Sequence, residues 1–353
     1  MAVDGNLASL SESLWTAATG TYMLAVVAYT GEYAFGRNGR IARTSPVSRA
    51  EVSSAQVSRV EAGVRQSALV GGGTLTDPTT PTGQPHYGAG SVEPAGDAGR
   101  RWGRAAVGLT VLAALFHLAS VTIRGVAVDR VPWGNMYEFT LVVGLMATVA
   151  WLATLVRMPQ LRYLGLFVMM PVLLVMFLAG TLYTKASKLV PALQSYWLAI
   201  HVSSVAVAEG ILLTSAAITS MYLVRARFER HAEAGTTPAR FAGLGSRLPA
   251  AASLDKAAYR TVAFAFPIYT AGVIFGAIWA EAAWGRYWGW DPKETWAFIA
   301  WVVYATYLHA RATAGWKGNR AAYINLLGFG AMTFNFFVVN IVISGLHSYA
   351  GLT

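Results

Sequence analysis

The chain has 353 residues, of which 55% are hydrophobic and only 12% charged, with a mean hydropathy of +0.45. This composition excludes a soluble globule or a disordered chain and sets the class as an all-α, polytopic integral membrane protein. With no cysteine there is no disulfide, thiol nucleophile or thiolate-held metal, and no Walker A or dinucleotide fingerprint is present; the net charge of +10 must be explained by where the cations lie.

Runs of about 20 apolar residues predict about eight transmembrane helices: Trp15 to Phe35, Ala105 to Ile123, Asn135 to Val156, Leu164 to Leu182, Trp197 to Val224, Thr261 to Ala282, Glu294 to Ala310 and Ala321 to Leu346. The first is preceded by no basic stretch and followed by no small-residue cleavage pattern, so residues 1–36 read as a retained helix with its N-terminus outside. Residues 37–101 are rich in Ser, Thr, Gly and Pro, carry Gly71-Gly72-Gly73 and Asp77-Pro78, and read as a disordered cytoplasmic linker, with a short surface helix near 48–70. Residues 102–353 form a seven-helix membrane domain, and no internal repeat suggests an inverted-repeat transporter. Of the 27 lysines and arginines, 21 follow spans one, three, five and seven, whereas Arg124, Arg130, Lys185, Lys188, Arg286 and Lys293 lie on the other side. By the positive-inside rule the first side is cytoplasmic, so both termini and the loop 283–296 are outside.

That loop is the densest feature of the chain. Six of the twelve tryptophans fall between Trp279 and Trp301, around Trp284-Gly-Arg286-Tyr-Trp288-Gly-Trp290-Asp291-Pro-Lys293-Glu294-Thr-Trp296. Indoles with glycines between them can form a surface for a large planar amphipathic molecule; an interfacial aromatic belt accounts for one or two per helix end. Asp291, Pro292 and Glu294 also have the spacing of a capping box, which makes the two acids supports of the loop. Asn135 and Glu138 repeat that pattern at the entry to span three. Glu32, Glu138, Glu209 and Glu281 are acids in or at apolar spans, where a carboxyl is costly and functional by default.

With no thiols, metal chemistry falls to histidine. His86 and His231 lie in cytoplasmic segments as solvated residues, leaving His117, His201, His309 and His347. His201, about one turn into span five, and His347, just past span eight, share a depth at the face of the Trp-rich loop. His309 follows Asp291 by 18 residues, roughly 27 Å along a helix, which puts it near the cytoplasmic face. Each histidine alone reads equally as a packing or hydrogen-bonding residue. The paired depth beside six indoles fits the two axial ligands of a haem, with Arg286 and Lys293 available either to its propionates or to lipid headgroups.

The loop resembles the tryptophan-rich "WWD" signature of haem-handling proteins, and its Trp-Gly-Trp-Asp-Pro-Lys-Glu-Thr form is similar to the CcsA/ResC branch of System II cytochrome c biogenesis rather than to System I. The similarity extends to Pro132–Phe139, Ser195–His201, Leu308–Arg311 and Gly345–Tyr349. The resemblance implies His201 and His347 as external haem ligands beneath Trp284, Trp288, Trp290 and Trp296, and His309 as an intramembrane ligand met earlier by haem b. It also implies a ResB-type membrane partner and attachment of haem to the Cys-X-X-Cys-His motif of an apocytochrome c outside the membrane; His117 matches no ligand. A haem exporter or chaperone without bond formation would use the same residues. A membrane scaffold without haem would need the tryptophans as a belt only.

Overall fold

The computed structural model describes residues 3–35, 97–187, 193–236 and 241–347. These residues are helix, turn or loop, with no strand among them. The long helices are α1 (Gly5–Phe35), α2 (Asp97–Ala127), α3 (Met136–Arg157), α4 (Gly165–Thr181), α5 (Tyr196–Glu233), α6 (Ala251–Trp284), α7 (Pro292–Ala312) and α8 (Asn319–Thr333). A 3₁₀ turn, Pro159–Leu164, precedes α4, and α8 continues through the π-helical turn Phe334–Val339 to Val342.

By length and composition six helical stretches can cross a membrane: α2 to α6, with the 3₁₀ turn joined to α4, and Asn319–Val342. The chain is therefore an all-α, multi-pass membrane protein. The first and seventh expected spans are helical as α1 and α7 but are less apolar; α7 carries Lys293, Glu294, His309 and Arg311 within its length. The linker expected over 37–101 lies outside the described residues up to 96, while α2 begins at Asp97 rather than at 102. Likewise α5 runs on to Glu233 and α6 begins at Ala251. These extensions carry arginines, which favour helix but end a hydropathy run.

Two compact units divide the chain, residues 28–104 and the remainder. Within the smaller unit, Trp102 covers Gly31 and stacks on Phe35 at 6.3 Å. Within the larger unit, α5 and α6 form the most extensive helix pair, and glycine makes their approach close. A Cβ on Gly272 would lie 3.0 Å from Val205 Cγ2, a contact tight enough that Val205 would have to give way. Gly210 of α5 does the same against Ala147 and Met146 of α3. Asn325 of α8 donates to Ser215 and Thr219 of α5 at 3.0 and 2.7 Å, tying the C-terminal helix to the same scaffold.

Behind the entry to α3 lies a buried charge cluster. Glu138 accepts from Arg124 Nε at 3.1 Å and Arg130 Nη1 at 2.8 Å, and its Oε2 also accepts from Gly134 N–H at 2.8 Å. Asn135 caps α3 by accepting from Glu138 N–H at 2.9 Å. The expected box is thus half made, because the two guanidinium groups hold the Glu138 carboxylate and its backbone contact goes to Gly134. His117 is fully buried with Nδ1 3.3 Å from the Tyr22 hydroxyl, a packing position.

Candidate functional site

α6 ends where Gly285 takes a left-handed φ of 68° and donates to Glu281 O at 2.8 Å, which turns the chain into the Trp-rich loop. Glu294 closes that loop: its Oε2 accepts from Gly289 N–H at 2.8 Å and Asp291 N–H at 3.1 Å. Asp291 accepts from Lys293 N–H in return, so the expected capping box of α7 is present. The side chain of Arg286 lies across Gly289, occupying the space that a Cβ there would need.

Asp291 does more than cap. Its Oδ1 accepts from Leu346 N–H at 2.7 Å and its Oδ2 from His347 Nδ1 at 2.9 Å, so one carboxylate joins the Trp-rich loop to the segment after α8. Gly345 is required there, since a Cβ would stand 2.7 Å from Asp291 Oδ1. Burial pushes the Asp291 carboxyl up, but the hydrogen bonds from His347 and Leu346 outweigh it and hold the group at about 2. Burial also lowers the His347 imidazole below its ordinary value, against the pull of Asp291. A neutral imidazole therefore donates Nδ1–H to an ionised carboxylate, which makes Nε2 the unprotonated nitrogen.

His201 reaches the same condition by another route. On the second turn of α5, its Nδ1 donates to the carbonyl of Gly272 on α6 at 2.7 Å, which fixes the tautomer and leaves Nε2 as an acceptor. Its ring lies parallel to Trp279 at 6.1 Å and 11°. Gly276 makes room for it, because a Cβ at 276 would sit 2.6 Å from His201 Cε1. Trp279 is 1% exposed and also meets His347 edge-on at 5.7 Å; Trp284 meets both Trp279, at 4.8 Å, and His347, at 5.0 Å. The two imidazoles are thus gathered around one buried indole.

Two cavities share the wall formed by Phe139, His201, Val205, Trp279, Lys293 and His347. The first, about 750 Å³ of empty space with its solvent-open side included, runs along α5 from His201 to Glu209 and is bounded on the loop side by Trp284, Tyr287 and Trp288. The second, about 630 Å³ on the same measure, is bounded by the Trp133–Met136 segment, Leu198 and Asn340. Among the described residues no group of three or more His, Cys, Asp or Glu side chains could hold a bare metal ion.

The remaining expected site residues are divided. Trp284, Trp288 and Lys293 line the first cavity. Lys293 turns inward, its ammonium donating to Asn340 Oδ1 at 2.6 Å. Trp290 is 65% exposed with φ 58°, packed edge-on against Trp288 and Phe298, and Trp296 packs on Phe334 at 4.1 Å; neither lines either of these two cavities. Arg286 faces Glu294 at 3.9 Å. His309 is exposed near the far end of α7, away from the imidazole pair. The sequence reading did not single out Trp279 as a site residue. Its signal was the Gly272 and Gly276 pair one to two turns earlier on α6, which marks where another side chain must nest.

The sequence profile of the cytochrome C assembly protein family matches residues 133–347, a range that begins at the Trp133 cavity wall and ends at His347. The chain belongs to the cytochrome c assembly family. Its relatives include the cytochrome c biogenesis protein CcsA of Guillardia theta, 36% identical over 69% of this chain and 85% of the relative. CcsA of Heterosigma akashiwo is 39% identical over 54% of this chain and 68% of the relative, and that of Synechococcus elongatus 39% over 47% and 61%. Among solved structures, the cytochrome c haem lyase CcmF superposes with a TM-score of 0.57 at 17% identity, covering 96% of this chain; the chain spans about half of that structure's length. At that identity the likeness concerns the fold. This member of the assembly family is CcsA-type and acts in cytochrome c maturation.

Proposed function

We propose that this chain is the haem-binding membrane subunit of a System II cytochrome c synthase, which moves haem b to the outer face and presents it for attachment to an apocytochrome c. The observation that carries this reading is the pair of imidazoles, His201 and His347, each with Nδ1–H given to an acceptor, so that Nε2 is the unprotonated nitrogen, and both in ring contact with Trp279. Haem is the cargo, and an iron porphyrin has axial positions that imidazoles can fill and apolar faces that suit aromatic walls. The distribution of cations supports a position for this end of the bundle on the outer side of the plasma membrane.

His309, on the opposite reach of α7, would meet haem earlier on its route, in company with a ResB-type partner subunit. At the outer site the chain's contribution is orientation: a cysteine sulfur adds to a vinyl carbon and the thiol proton ends on the neighbouring carbon, so positioning carries the rate. The test is absorption spectroscopy of the purified protein. A Soret band is expected, with haem content lowered or the spectrum altered in His201→Ala and His347→Ala and partly restored by added imidazole. Wild-type spectra in both variants would overturn the axial assignment, and covalent haem on a CXXCH substrate, made only with the partner present, distinguishes synthesis from export.

A further inference from the structure

Several buried polar atoms around the two cavities have no hydrogen-bond partner, and they divide by chemistry. Among the residues lining the first cavity they are acceptors, Glu294 Oε1 and Asn335 Oδ1; Arg286 Nη1, a buried donor, lies beside Glu294 but is not in the lining of either cavity. Around the second cavity they are donors: the indole N–H of Trp133 and the side-chain NH₂ of Asn135, a residue 7% exposed. The orientation of the Asn135 amide is fixed, because its Oδ1 is the acceptor that caps α3. Lys293, on the shared wall, uses one of its three N–H bonds on Asn340, whose own NH₂ is held by Phe336 O at 2.8 Å. Buried donors without partners are rare in native folds and ask for an explanation outside the chain.

We propose that Trp133, Asn135 and Lys293 form a carboxylate-binding subsite in the second cavity, which takes the propionate edge of the bound tetrapyrrole. This rests on the haem reading above and deepens it by fixing which edge goes where. A carboxylate offers only acceptors, so it pairs with the three donors and finds no such partner in the Glu294 and Asn335 oxygens beside the first cavity. The opposite, apolar edge, which bears the reacting vinyl groups, then lies against Trp284, Tyr287 and Trp288. The buried ion cluster acquires a purpose in this arrangement: Arg124 and Arg130 hold Glu138, Glu138 holds Gly134 N–H, and the donors of Trp133 and Asn135 flank that glycine.

The experiment compares binding of iron protoporphyrin IX and of its dimethyl ester, the same macrocycle without free carboxylates, to the purified full chain. Wild type is expected to retain the diacid at least tenfold more tightly. Asn135→Asp keeps the capping oxygen and replaces the NH₂ donor by a second oxygen; with Trp133→Phe and Lys293→Met it should weaken the diacid about tenfold or more and the diester less than twofold. An unchanged Soret spectrum with the diester shows that each variant still folds around its axial ligands. No discrimination in wild type, or equal weakening of both ligands in the variants, overturns the subsite. Binding of neither ligand by wild type would instead sink the haem reading itself.

Discussion

Replacing Gly276 with alanine tests whether the position of the His201 ring matters independently of its chemistry. The three atoms nearest a Cβ at 276 all belong to His201, at 2.6, 2.8 and 3.3 Å, so the added methyl group meets that imidazole first. The ring can escape only by leaving the Gly272 carbonyl, worth about 0.5–1.5 kcal/mol, and its parallel contact with Trp279, worth a further ~0.5–1.5 kcal/mol. Together these amount to about 1–3 kcal/mol, or roughly a 5- to 150-fold weaker hold on the ligand. The helix itself does not suffer, since alanine is favoured over glycine in a helix by about 1 kcal/mol. Transfer of haem from the purified variant to apomyoglobin, followed at the Soret band, reads the first effect, and a circular dichroism melt reads the second. Haem retention equal to wild type would refute the claim that the α5–α6 seam sets the ligand position. Loss of helix and haem in parallel would show that the glycine serves packing alone.

The indoles of the loop are not equivalent: Trp288→Ala should weaken haem retention, whereas Trp290→Gly, at an exposed residue with φ 58°, should leave it unchanged and relieve about 1 kcal/mol of backbone strain, both readable by haem content and thermal melting. Arg124→Met strands the buried Glu138 carboxylate and should cost ~3–5 kcal/mol, seen as a large fall in folded yield; a yield near wild type would show that Arg130 alone suffices. His309→Ala, made together with the ResB-type partner, should lower cytochrome maturation in cells while haem supplied from the outer side still fills the site at His201 and His347. Normal maturation without supplement would make His309 a surface residue only.

Class and much of the machinery were legible in the amino-acid order alone. Composition dictated membrane helices because about 20 apolar residues in a row have few other stable fates, and Asp291-Pro292-Lys293-Glu294 dictated a helix start because capping is local chemistry among neighbouring residues. The helix ends were less legible: arginine-bearing extensions of α2, α5 and α6 keep helical geometry after the hydropathy signal has stopped. Only tertiary structure decided that Asp291 also holds His347, 56 residues away, that Trp279 rather than Trp290 is in ring contact with both imidazoles, and that Lys293 turns inward. Those contacts depend on which helix faces come together, and that is set by glycines at the α5–α6 seam and opposite Asp291. A glycine's effect is to admit a distant side chain, and the sequence shows the vacancy without naming the residue that fills it.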